Sequence, residues 1–177
     1  MVQSVPVDVN EARSDAAPEE VAALLRERIY GGIACLSTLL LLLRYPGEEP
    51  SAWPVVLDVV VATGSLWAAS LLADLVAHLA AHGGAPRGAE AGRMFRTSGQ
   101  ILEAAVVPLV LLVLAGLGVL RLEGALRAGV WVSVITLGLF ALLAARRTKL
   151  AGWKRLLIVA ALIGLGALVV LLKTLAH

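Results

Sequence analysis

Apolar residues run in blocks along this chain, and polar residues gather in the short stretches between them. Five blocks have the character of membrane-crossing helices, at about 29–43, 55–78, 101–120, 128–145 and 156–172. An α-helix rises ~1.5 Å per residue, so crossing a ~30 Å hydrocarbon layer takes about 20 apolar residues. The first block is short by that measure unless the residues before it extend the same helix.

Those residues, 18–28 (PEEVAALLRER), carry Pro18, Glu19 and Glu20 where a helix would begin, then Val21, Leu24, Leu25 and Arg28 at helical spacing. They predict an amphipathic lead-in helix whose Glu20, Arg26, Glu27 and Arg28 form a solvated or headgroup-level face. Residues 1–17 show no apolar period, and no basic start followed by an apolar core. They read as a disordered cytoplasmic tail, not as a signal peptide.

The breaks between blocks have their own signals. Arg44-Tyr45-Pro46-Gly47 ends the first span, and Trp53 lies at the interface before the second. Residues 80–100 (AAHGGAPRGAEAGRMFRTSGQ) are rich in Gly and Arg without apolar period, which predicts a loop. Arg121–Arg127 forms a tight connection, and Pro108 predicts a kink in the third span. A basic run follows the fourth span. The expected fold is therefore an all-α integral membrane protein with residues 29–177 forming one five-helix transmembrane domain.

Composition agrees and narrows the class. The chain is 59% hydrophobic and 16% charged, with mean hydropathy +0.88. Soluble domains are about 45–50% apolar and about 25% charged. A net charge of +2 gives no reason to expect nucleic acid as a partner. The single cysteine, Cys35, excludes an intrachain disulfide and a zinc site built from several cysteines. Twelve arginines against three lysines, with abundant Ala, Leu, Val and Gly, suggest a GC-rich bacterial genome and hence a multi-pass protein of the plasma (bacterial inner) membrane.

Basic residues also set an orientation. With the N-terminus in the cytoplasm, eleven fall inside (Arg13, Arg26, Arg28, Arg87, Arg93, Arg96, Arg146, Arg147, Lys149, Lys154 and Arg155). Four fall outside (Arg44, Arg121, Arg127 and Lys173). The positive-inside rule then puts the N-terminus inside and the C-terminus outside after five crossings.

Candidate chemistry gathers in the second span. Thr63, Trp67, Ser70, Asp74 and His78 follow one another at steps of 4, 3, 4 and 4, a polar stripe on one helical face. Asp74 and His78 are an i, i+4 pair suited to holding a proton, with His82 one turn further on. Glu103 sits one turn into the third span, at matching depth, and Gln100 is close to it. Asp74, His78 and Glu103 are thus expected to share a proton or a cation, with a divalent metal as a speculative cofactor. Gln100, His82, Arg96 and Asp58 are accessory candidates. The same charges also read as interfacial anchors, with Arg93 and Arg96 neutralising Asp74 and Glu103, and Asp58 facing Arg44 or Arg121 at the outer mouth. Gly116, Gly118, Gly138, Gly164 and Gly166 read as points of close helix approach.

No glycine-rich phosphate loop, serine elbow, paired CxxC or HExxH is present, and the chain is not expected to be an enzyme. RERIYGGI at the first span, DLVAH at the end of the second and the terminal LLKTLAH together resemble an uncharacterised family of small five-helix membrane proteins from actinobacteria-like genomes. That resemblance implies a multispan fold and transfers no functional residues. The expected function is a small homo-oligomeric channel or transporter, in contact with the lipid bilayer, passing protons or another small ion along the stripe. The alternatives are a non-transporting scaffold or regulatory protein and a membrane-embedded metal- or lipid-binding protein.

Overall fold

The computed structural model describes residues 9–45, 51–146, 152–154, 157, 160, 161 and 164. The expected fifth span falls almost entirely outside the described residues. Within them the chain is helical and strand-free: α1 (Val9–Arg44), α2 (Ala52–His82), α3 (Ala89–Gly116) and α4 (Leu122–Arg146). The helices alternate in direction. α1 and α3 form the central pair, each packed on every other helix, while α2 and α4 flank them with almost no mutual contact.

By length and composition, α2, α3 and the Leu122–Leu143 part of α4 can each cross a membrane. Only 11% of the most apolar stretch of α2 is buried, and Leu57, Val61, Leu72 and Val76 point outward. Such a face needs an apolar neighbour, which lipid supplies. α1 is different: its apolar stretch of residues 29–43 is bounded by Arg28 and Arg44. The lead-in and the first span are one continuous helix, and its first turns reach back to Val9, into the stretch expected to be a tail.

Three boundaries differ from expectation. Residues 80–100 were predicted to be a loop, but only the turn of residues 83–88 is one. Gly83 closes α2 in the left-handed region (φ 66°), its N–H donating to the Leu79 carbonyl. From Ala89 onward the segment is helical because tertiary packing outweighs its weak propensity: Ser98 and Ile101 are buried, and the Ser98 hydroxyl folds back on the Met94 carbonyl at 3.0 Å. At its other end α3 stops at Gly116, and Gly118 adopts φ 78° in the turn that follows. α4 begins at Leu122, inside the expected connection, its start braced by Arg127–Glu123 at 2.6 Å.

The core lies towards the C-terminal end of α1, where Cys35, Leu39, Val59, Ala105, Leu112, Ala125 and Leu126 come together. Glycines bring the helices close. A Cβ on Gly31 would lie 2.5 Å from the Ile101 carbonyl oxygen and 2.7 Å from Ile101 Cα, so α1 and α3 touch backbone to backbone. A Cβ on Gly116 would lie 3.1 Å from the Trp53 ring. α3 runs unbroken through Pro108, which is buried against this core.

Candidate functional site

The polar stripe of α2 is its packed face. Thr63 is buried and donates to the Val59 carbonyl at 2.7 Å, so its hydroxyl is satisfied within its own helix. Two turns along, Ser70 Oγ donates to Glu27 Oε2 at 2.8 Å, joining α2 to α1. The other carboxylate oxygen of Glu27 accepts from Arg26, with Nε and Nη2 each 3.1 Å away. Glu27 is 4% exposed, a buried carboxylate with every strong partner it needs.

One turn beyond Ser70, Asp74 reaches an open cleft of about 510 Å³ between the ends of α1, α2 and α3. Arg26 from α1, Asp74, His78 and His82 from α2, and Glu90 and Arg93 from α3 line it. His78 Nε2 lies 3.7 Å from Glu90 Oε2 across the α2–α3 hairpin. The His78 and His82 rings stack with centroids 4.4 Å apart and planes inclined by 22°. Along α2, His82, His78, Asp74 and Ser70 follow one another at four-residue steps; the first three line the cleft, the Glu27–Ser70 contact lies one turn beyond its lining, and Thr63 is buried two turns further on.

Glu103 does not join this ladder. It faces Arg28, with Nη1 and Oε2 3.5 Å apart, and the same Nη1 donates to Gln100 Oε1 at 3.3 Å. The Arg28 guanidinium also covers the Phe140 ring of α4 at 5.4 Å. The depth match with Asp74 could not reveal the reason. Glu103 is nine residues from Met94, which lines the cleft, and nine residues carry a helix through two and a half turns, to its opposite side. Correspondingly, no group of three or more His, Cys, Asp or Glu side chains among the described residues is arranged to hold a metal ion, so Asp74, His78 and Glu103 do not form one centre.

The accessory candidates separate in the same way. Gln100 belongs to the Arg28 cluster, and Arg96 reaches Glu20 at 4.0 Å. His82 belongs to the cleft. Asp58 is exposed towards the other end of α2 and pairs with neither Arg44 nor Arg121 among the described residues; Arg44 instead lies over the Tyr45 ring at 5.7 Å.

Glu27, placed by the sequence reading on a solvated face, is the residue that reading missed. Its signal was present: Glu27, Gly31, Cys35 and Leu39 follow one another at four-residue steps, and all four are buried. Comparison with protein-family models, with curated proteins and with solved structures returns no match for this chain.

Proposed function

We propose that the protein is a small multi-pass membrane carrier that takes up a proton or a small cation at Glu27, reached through the cleft between α1, α2 and α3. The observation that carries this reading is the buried carboxylate of α1, held by Ser70 of the polar α2 face and packed among three helices of membrane-spanning length and composition. Ionisable groups inside such bundles are costly and characteristically line ion and proton routes. His82, His78 and Asp74 supply exchangeable groups one helical turn apart, about 6 Å of rise between neighbours.

Arg26 makes the site switchable. Its side chain is 56% exposed, so it can leave Glu27 for solvent when a proton or cation neutralises the carboxylate. Beyond Thr63 the packing of Leu39, Val59 and Leu112 closes the interior. Transfer to the far side then requires a rearrangement of the bundle or a path along the axis of a homo-oligomer. Five crossings with a cytoplasmic N-terminus put the cleft on the basic, cytoplasmic side.

A second reading is favoured by the mixed lining of the cleft. Arg26 and Arg93 stand with Asp74 and Glu90 where the helices leave their apolar stretches, an arrangement that suits a zwitterionic lipid headgroup.

Flux measurements in proteoliposomes separate the two. Under a proton or alkali-cation gradient, Glu27→Gln is expected to reduce flux at least about tenfold while the protein remains folded. Wild-type flux in Glu27→Gln would remove Glu27 from the route. Flux no greater than in empty liposomes, with phospholipid retained stoichiometrically through purification, would favour the headgroup site.

A further inference from the structure

At the cleft, His78 on α2 faces Glu90 on α3, the ion pair that links those two helices among the described residues. At 3.7 Å it is longer than a hydrogen bond, which for nitrogen and oxygen spans about 2.7–3.2 Å. A neutral imidazole gains little there. A protonated one forms a charge-assisted bond to the carboxylate, which shortens and strengthens the contact. The His78 side chain is 11% exposed and that of Glu90 48%, so solvent reaches the contact from the Glu90 side and partly screens the attraction.

We infer that His78 and Glu90 form a pH-operated latch that closes the mouth of the cleft under mildly acidic conditions and releases it above neutrality. As regulation of uptake this rests on the reading of Glu27 as the uptake site, whereas the opening and closing themselves do not. The sign follows from the groups around His78. Glu90 on α3 and Asp74 on α2 attract its proton; Arg26 on α1, Arg93 on α3 and a charged His82 oppose it. Glu90 is in direct contact, while Arg26 is already engaged with Glu27. The His82 ring stacks on that of His78 with centroids 4.4 Å apart. Of the two rings, His78 is the one that faces a carboxylate of α3.

The connection between the helices permits the motion. Gly83 and Gly88 hold positive φ values of 66° and 52°, and nothing lies within 4 Å of where a Cβ would stand on Gly83, Gly84 or Gly88. These three glycines carry no side chain that would resist a hinge between the end of α2 and the start of α3, and Pro86 between them is half-buried.

Thiol accessibility in the full-length chain tests the latch. In a Cys35→Ser background, Thr97→Cys places a thiol in the cleft and Gly84→Cys places a reference thiol on the open turn. The rate of modification by a water-soluble maleimide is taken as the ratio of the first to the second, each divided by the thiolate fraction from that thiol's own titration, so that only accessibility remains. Between about pH 8 and about pH 5.5 the ratio is expected to fall about fivefold. His78→Gln and Glu90→Gln should each abolish that fall, while His82→Gln preserves it. All three should melt like the parent at the higher pH, where the latch is open. A ratio independent of pH in the parent, or an unchanged fall in His78→Gln, overturns the latch. The readout involves no flux. Loss of the latch with Glu27-dependent flux intact therefore defeats this inference alone, and an intact latch without flux defeats the uptake reading alone.

Discussion

The two ends of the bundle are built from the same four helices by different physics. Towards the C-terminal end of α1, Leu39, Val59, Leu112 and Leu126 fill the space between helices, and Gly116 and Gly129 let the Trp53 ring and the Leu39 side chain approach closely. That end has no ion pair across helices among the described residues. At the opposite end, contacts between helices run through charge: Glu27 with Ser70, Arg28 with Gln100 and Glu103, His78 with Glu90, and Arg96 with Glu20. Packing contacts have one good arrangement and do not respond to pH or salt. Partly exposed ion pairs contribute about 0–1 kcal/mol each and exchange readily with solvent. The comparison therefore assigns most of the stability to the apolar end and contacts that respond to pH and salt to the polar end.

The sharpest way to break this division is at the midpoint, where α1 crosses α3. Gly31→Val is expected to cost about 3 kcal/mol or more, or to prevent folding, because the added carbons meet the backbone of Ile101 and not a flexible side chain. Thermal or denaturant unfolding in detergent measures it, with Gly84→Ala on the open turn as a neutral control. If Gly31→Val unfolds like wild type, the helices are not held by this contact.

Leu39→Ala should have the next largest effect. Leu39 is fully buried and lies 3.3 Å from where a Cβ on Gly129 would stand. In water such a change costs about 2–5 kcal/mol, partly from lost transfer free energy. Lipid is itself apolar, so the transfer part largely disappears and the vacated contacts remain. A loss of about 1–2 kcal/mol is expected by the same unfolding measurement. A loss below about 0.5 kcal/mol would mean that the apolar end is loosely packed and that stability resides elsewhere.

The helical, membrane-length character of the chain was legible because it depends on block length and hydropathy, which a sequence displays directly. That Thr63, Ser70, Asp74 and His78 share one face of α2 follows from their spacing, but which neighbour that face meets does not. Three other things were not legible. Residues 89–100 lack an apolar period and carry Gly92 and Gly99, and they are helical because α1 and α2 pack against them, a tertiary effect. Glu103 has the depth of Asp74 but a different azimuth, and depth alone cannot say which neighbour a side chain meets. Glu27 stands between Arg26 and Arg28 in a run that looks solvated. Only the four-residue step from Gly31 and Cys35 puts it on the buried face.

That azimuthal difference gives the smallest effect and the finest test of the division. Glu103→Gln removes one charge from the Arg28 cluster while leaving the Gln100 bond and the Phe140 contact available. Both partners are substantially solvent-accessible, so the loss of stability should be under about 1 kcal/mol and should shrink further in high salt. Flux should stay near wild type, in contrast to Glu27→Gln, because Glu103 turns to Arg28 and not to the cleft. A Glu103→Gln variant as destabilised as Leu39→Ala would show that charge holds the polar end as firmly as packing holds the other. A variant as defective in flux as Glu27→Gln would return Glu103 to the route beside Asp74, against the separation of the two clusters, and would place the exchange of ions on the α1–α3–α4 side of the bundle as well.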